Sequence, residues 1–175
     1  MKHLNLDRLL IMPTNVPPHK IKLAQDTPEQ RLAMCHAAFD SIAGAEVSDY
    51  EIRQGGTSYT YLTLEHLTKP GREIYMLCGS DMLLTLDQWR RAEDIFRLAH
   101  IVCMPRYSEG TERLNAKKTE YEERFGARIH IISEDVLEIS STEIRERIDS
   151  GADLTGLLPV KVIEIIRQER LYGVE

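Results

Sequence analysis

Short apolar runs alternate along the chain with longer stretches whose apolar residues recur at helical spacing. Residues 8–12 (RLLIM), closed by Pro13, predict a buried strand. Residues 14–26 are a polar loop holding Pro17 and Pro18. Thr27, Pro28 and Gln30 then form a helix start, with a capping threonine, proline at the first turn and a glutamine able to close a capping box. Leu32, Cys35, Phe39 and Ile42 are its predicted apolar stripe. Residues 46–52 alternate and predict a strand. A Gly-Gly loop at 53–57 leads into a helix over 58–68, with Leu64 and Leu67 inward. Strands are predicted at 73–78, 100–104 and 128–132, with a short extended run at 136–139. Helices are predicted at 82–86, 91–98, 112–125, 142–150 and 160–169, with Gly151 stopping one and Pro159 starting the last.

That β-α-β rhythm predicts an α/β fold, a doubly wound parallel sheet with helices on both faces. Such sheets bind ligands beyond the carboxyl ends of their strands, so the segments after each strand hold the candidate chemistry. A length of 175 residues fits one domain, residues 1–175. With 22 basic against 28 acidic residues the net charge is −6, which argues against a general nucleic-acid binder but leaves room for a local phosphate site. Cys35, Cys78 and Cys103 are scattered within apolar runs and read as reduced thiols of a cytoplasmic protein. No apolar run approaches the roughly 18 residues of a membrane span, and no signal-peptide pattern opens the chain.

After the first strand, Pro17 and Pro18 stiffen a loop that presents His19 and Lys20, a cationic pair suited to phosphate; an ordinary solvated turn fits the same residues. After the second, Gly55 and Gly56 allow close backbone approach, and Ser58, Tyr59 and Thr60 open a helix whose N–H groups favour an anion; Ser58 as a plain N-cap is the alternative. After the third come Gly79, Ser80 and Asp81, where a doubly wound sheet often holds a ribose hydroxyl. Trp89, the single tryptophan, lies between Gln88 and Arg90, a polar setting for a ring-stacking platform; a half-buried packing role fits as well. Late in the chain Ser140, Ser141 and Thr142 reach a helix start, with Arg145 one turn past Ser141 on the same face, able to meet one polyphosphate together. A capping box of Ser140 with Glu143 is the simpler account of the serines. His36, His66 and His100 have no metal-ligand spacing. Residues 107–111 read as a loop and 120–124 as a solvated helix face.

In this order, P-P-H-K, G-x-S-Y-T, G-S-D-M-x(6)-W and I-S-S-T-x-I-R, the segments resemble bacterial nicotinate-nucleotide adenylyltransferases, from about Leu6 to the C-terminus. The resemblance implies a Rossmann-like nucleotidyltransferase fold and transfer of AMP from ATP, with Mg²⁺, to nicotinate mononucleotide. It implies that Trp89 stacks on the pyridine ring, and that Thr60 and the backbone N–H groups near Trp89 and Arg90 hold the nicotinate carboxylate. It also implies that His19, Lys20, Ser140, Ser141, Thr142 and Arg145 hold the ATP phosphates, and that Gly79 and Asp81 line the dinucleotide crevice. Small-molecule substrates are the implied partners, without nucleic acid or membrane, and a homo-oligomer is left open. The family's opening strand and its G-G-T-F-x-P-x-H-x-G-H loop have no counterpart here. About twenty residues of the pattern, a central strand among them, are expected to be missing. Two rivals remain at this point: a non-catalytic nucleotide-binding module or inactive truncated fragment, and a related enzyme such as phosphopantetheine adenylyltransferase.

Stacking on the pyridine ring predicts that Trp89→Ala weakens nicotinate mononucleotide binding far more than ATP binding, since an aromatic pair contributes about 0.5–1.5 kcal/mol beyond its buried area. Calorimetric titration of each ligand checks this; equal losses remove Trp89 from the pyridine site.

Overall fold

A computed structural model describes residues 4–18, 26–105, 111–132 and 139–173. The chain divides into two compact units, Met1–Ser58 with Ile139–Glu175, and Tyr59–Glu138.

In the first unit, β1 (Leu9–Ile11) and β2 (Ala45–Val47) pair in parallel, Leu10 opposite Glu46, and α1 (Pro28–Phe39) makes the crossover. Thr27 caps α1: its side chain accepts from the Gln30 N–H at 3.2 Å, and the Gln30 side chain accepts from the Thr27 N–H at 2.8 Å. The predicted capping box is therefore present. The predicted stripe is not the packing face. Met34, Ala37 and Ala38 pack on the core, Leu32, Cys35 and Phe39 are half-buried, and Ile42 is 46% exposed. Two adjacent alanines let α8 (Val160–Gln168) lie close against α1, and the helix ends before Ile42 is reached. In the 8–12 run Arg8 is exposed, Leu9–Met12 are half-buried, and only three residues pair, in a ladder of two strands.

The predicted second strand is also shorter than expected. Val47 ends β2, and Tyr50–Gln54 forms a helical turn, α2, in which the Arg53 N–H donates to the Asp49 carbonyl at 2.9 Å. An Arg53–Asp49 ion pair one turn apart, at 3.0 Å, favours helix where alternation alone suggested strand. α7 (Ser141–Asp149) and α8 complete this unit around Ile148, Leu154, Val162, Ile166 and Leu171. Both end in the same double hydrogen-bonded turn. The Ala152 N–H reaches the Arg147 carbonyl at 2.8 Å, and the Leu171 N–H reaches the Ile166 carbonyl at 2.9 Å. Gly151 occupies the left-handed position in the first; in the second it is Arg170, at φ 51°.

In the second unit, β3 (Tyr75–Gly79), β4 (His100–Met104) and β5 (Arg128–Ile131) form a parallel ladder in that order. The predicted single sheet is thus seen as two ladders, with no described strand hydrogen-bonded into both. Cys78, Ile101, Cys103 and Ile129 point to one face. There they meet Leu64 of α3 (Thr60–Leu67), Leu83 of α4 (Ser80–Leu83), Ile95 and Phe96 of α5 (Ala92–Leu98), and Leu114 and Tyr121 of α6 (Thr111–Phe125). Tyr121 is fully buried, which corrects the reading of 120–124 as wholly solvated. Leu114 and Tyr121 are seven residues apart and share the inward face, while their charged neighbours stay outside. A 3-10 turn at Leu86–Gln88 occupies the end of the stretch expected to be helical from 82 to 86. Cys78 and Cys103 are register partners on adjacent strands. A hydrogen bond between them, with burial, pushes the Cys78 thiol well above its ordinary value.

On the opposite face of this ladder the His100 Nδ1 lies 3.1 Å from His130 Nε2, and the Tyr75 ring stacks on His100 with centroids 4.5 Å apart. Burial, then the charges of Arg128 and His130, lower the His100 pKa, only partly opposed by Glu73. The folded state therefore binds a proton less readily than the unfolded chain. Stability is full above the unperturbed value near 6.5 and falls as pH drops below it toward the folded value. Urea midpoints are expected to decline from pH 7.5 to 5.5, and His100→Gln is expected to flatten that decline. An unchanged slope in the variant assigns the effect to other groups.

Candidate active site

In the first unit the loop after β1, α1 and the C-terminal segment meet at the carboxylate of Asp26. Its side chain is only 7% exposed, and an isolated charge cannot stay there. It accepts from Arg31 on one oxygen and from the Tyr172 hydroxyl on the other. The other guanidinium nitrogen of Arg31 donates to the Thr14 and Asn15 carbonyls at 2.7 and 2.8 Å. Arg31 thereby ties the loop after β1 to the N-terminal turn of α1.

That loop in turn grips the Gly-Gly segment. The Asn15 N–H donates to Ser58 Oγ at 2.9 Å, and Asn15 Nδ2 donates to the Gly56 carbonyl at 2.8 Å. The Ser58 N–H donates to the Val16 carbonyl at 2.9 Å, and Val16 and Thr57 form an isolated parallel bridge. Gly55 and Gly56 have φ of 68° and 66°, and a Cβ on either would meet nothing within 4 Å. Ser58 is therefore a latch between two loops and not the cap of the next helix, whose N-cap is Tyr59. His19 and Lys20 lie outside the described residues.

At the start of α7 Ser140 is the N-cap, its side chain accepting from the Glu143 N–H at 3.0 Å. The capping box is half formed, because the Glu143 carboxylate is bonded to Arg147 at 3.2 Å. The N–H groups of Ser141 and Thr142 have no acceptor among the described residues, as expected for the first turn of a helix. Both side chains are exposed. Arg145 is half-buried, and its guanidinium carbon lies 5.2 Å from the centre of the Tyr172 ring.

The second unit brings another group together. Thr60 opens α3, and Arg90 lies over the Tyr59 ring at 4.6 Å. Arg91 repeats the contact over Tyr61 at 4.6 Å and pairs with Glu65 at 3.3 Å. Two arginine–tyrosine stacks thus fasten residues 89–91 to the start of α3. Trp89 is half-buried against the core, the packing that its alternative reading allowed. Its N–H donates to the Leu86 carbonyl at 3.1 Å, so it is not free for a ligand. The Arg90 N–H has no backbone acceptor among the described residues. Asp81 is exposed on α4, and a Cβ at Gly79 would stand 2.8 Å from its Oδ1. Glycine there leaves room for that carboxylate at the carboxyl end of β3.

The turn before Trp89 has its own anchor. Tyr121 donates to Asp87 Oδ1 at 2.8 Å, the Asp87 N–H reaches the Tyr121 oxygen at 3.3 Å, and Lys117 lies 3.3 Å from Asp87 Oδ2. Burial raises the Asp87 pKa, but the Tyr121 and Lys117 hydrogen bonds outweigh it and hold the carboxyl below its usual range. Burial and the bond to Asp87 push Tyr121 up to about 12.

Asp26, Arg31, Tyr172, Asp87 and Tyr121 escaped the sequence reading because each belongs to no motif and finds its partners 5 to 146 positions away.

The family profile described as Cytidylyltransferase-like matches residues 1–147, and the chain belongs to that class of nucleotidyltransferases. Its relatives include proteins described as probable nicotinate-nucleotide adenylyltransferases. That of Clostridium tetani is 33% identical over 98% of this chain and 87% of its own length. That of Clostridium botulinum (strain Eklund 17B / Type B) is 34% identical over 99% of this chain and 87% of its own. Within the class, then, the chain is a member of the nicotinate-nucleotide adenylyltransferase family. The Plasmodium falciparum nicotinic acid mononucleotide adenylyltransferase complexed with NaAD superposes with a TM-score of 0.75, covering 99% of this chain and 88% of its own at 18% identity. That likeness establishes the Rossmann-like nucleotidyltransferase fold.

Removing Arg31 leaves Asp26 buried without its cation and two carbonyls without donors. Arg31→Met is expected to destabilise the protein by on the order of 3 kcal/mol. Urea unfolding checks it, and a loss under about 0.5 kcal/mol reduces the pair to an ordinary surface bridge.

Proposed function

We propose that this protein transfers AMP from ATP to nicotinate mononucleotide. The observation that carries the reading is the Arg90–Tyr59 stack, which ties Trp89 and Arg90 to the helix start at Tyr59 and Thr60, in a chain whose relatives at about a third identity carry that name. A phosphate oxygen of the mononucleotide attacks the α-phosphorus of ATP. The bond from that phosphorus to the bridging oxygen of the β-phosphate breaks, and pyrophosphate leaves with the electron pair. Mg²⁺ enters on the ATP phosphates as part of that substrate.

The chain's own residues position and stabilise. Trp89 offers a ring face to the pyridinium. Thr60 and the Arg90 N–H receive the nicotinate carboxylate; the Trp89 N–H, already bonded to Leu86, takes no part. The N–H groups of Ser141 and Thr142, unpaired among the described residues, their hydroxyls and the Arg145 guanidinium receive the ATP phosphates at a helix N-terminus. Ser140 fixes that helix start as its cap. Gly79 and Asp81 face the nucleotide beyond β3. His19 and Lys20 are assigned to the phosphates on their sequence pattern alone. The cytoplasm is the proposed compartment; no described helix is long and apolar enough to cross a membrane.

The test is pyrophosphate release from ATP with nicotinate mononucleotide, set against nicotinamide mononucleotide and 4′-phosphopantetheine as acceptors. Preference for the nicotinate acceptor is expected; release with phosphopantetheine alone assigns the chain to the rival transferase. Arg145→Lys is expected to raise KM for ATP about tenfold although the charge is kept, because lysine cannot make the planar bidentate fork. Unchanged ATP kinetics remove Arg145 from the phosphate site.

A further inference from the structure

Tyr172 has no place in any motif, yet three observations single it out. Its backbone is left-handed at φ 60°, an uncommon conformation for a bulky residue and one kept where surroundings demand it. The demand is visible on both sides. Arg170, two positions earlier, is left-handed at φ 51° in the turn that ends α8, which sends Leu171 into the core. Gly173, one position later, is at φ 91°, where a Cβ would stand 2.2 Å from Asp149 Oδ1 at the end of α7. The side chain so placed donates its hydroxyl to the buried Asp26 carboxylate and presents its ring to the Arg145 guanidinium at 5.2 Å. No carboxylate forms an ion pair with Arg145 among the described residues. Burial, then the Asp26 bond, keeps the Tyr172 hydroxyl protonated far above neutral pH, so the donor persists through the working range.

We propose that Tyr172 is a positioning residue for ATP, its ring holding the Arg145 guanidinium ready for phosphate while Asp26 fixes the ring. An arginine paired with an acid must give up that partner to bind phosphate. One held by this tyrosine, through the ring face and a hydrogen bond to its hydroxyl oxygen, gives up no carboxylate partner and is nonetheless restrained. The chain of contacts from Arg145 through Tyr172, Asp26 and Arg31 ends on the Thr14 and Asn15 carbonyls, so the same carboxylate steadies α7 and the loop after β1.

This inference rests on the phosphate role proposed for Arg145. The experiment compares Tyr172→Leu and Tyr172→Phe by calorimetric titration with ATP without acceptor, and by KM for each substrate in turnover. Tyr172→Leu is expected to weaken ATP binding about 3- to 30-fold, the range of a partly desolvated cation–ring contact, with KM for nicotinate mononucleotide unchanged. Tyr172→Phe keeps the ring and is expected to stay within about threefold of the parent for ATP. In an Arg145→Met background the leucine change is expected to have no further effect on ATP. Tyr172→Met carries the same expectation if the leucine variant does not fold. Equal losses for Phe and Leu, equal losses for both substrates, full effect of the leucine change without Arg145, or no ATP binding by the parent each overturn the proposal. A parent that binds ATP with these variant effects but transfers nothing to the mononucleotide overturns the proposed reaction instead and leaves this inference standing.

Discussion

A carboxylate withdrawn from water has to be matched on both oxygens, and in the first unit that constraint organises everything else. Asp26 satisfies it with Arg31 and Tyr172. Arg31 then has donors left over, which it spends on the Thr14 and Asn15 carbonyls, and Asn15 passes the constraint on to Gly56 and Ser58. Removing Arg31 leaves that charge buried without its counter-ion, a far larger penalty than the net gain of the intact pair. The rigidity of these loops is thus a by-product of solvating one anion without water.

The second unit uses a related arrangement at smaller scale. Asp87 sits in a one-turn 3-10 helix that has too few internal hydrogen bonds to hold its own shape. Tyr121 and Lys117, both from α6, bind its carboxylate and lend the turn the stability of a fifteen-residue helix. Trp89 and Arg90 follow directly, and the Arg90–Tyr59 and Arg91–Tyr61 stacks fix them from the other side. A site made of loop residues acquires a defined geometry because each loop is clamped to an element that packs the core.

The sequence made some of this legible and hid the rest for identifiable reasons. Thr27, Ser140 and Gly151 announced helix boundaries through local hydrogen bonding, which needs no knowledge of the fold. The strand His100–Met104 was readable because Ile101, Val102 and Cys103 are fully buried in succession. Residues 50–52 misled because alternation over so few positions fits a strand or a single helical turn equally. The α1 face misled because two alanines outweigh Leu32 and Phe39 where close approach of α8 is what packs. Among the candidate residues, Arg90 stacks on Tyr59, with Thr60 and Trp89 next to them in the chain, and the Ser58 hydroxyl accepts from the Asn15 N–H, contacts that no local pattern foretells. Asp26 and Tyr172 could not be found at all, since nothing local distinguishes an acid in a loop or a tyrosine near the end of a chain.

The tight loop ahead of Ser58 closes with two successive residues in a backbone conformation natural to the opposite hand, yet open space surrounds both. Volume is therefore not what Gly55 and Gly56 provide. The positions discriminate by chirality: an L-alanine is strained there, while a D-alanine finds its preferred dihedral angles and room for its methyl group. Chemical synthesis with D-residues at these two sites would stiffen the unfolded chain and leave the folded loop untouched, which makes the handedness of a single turn a separable design variable in this fold.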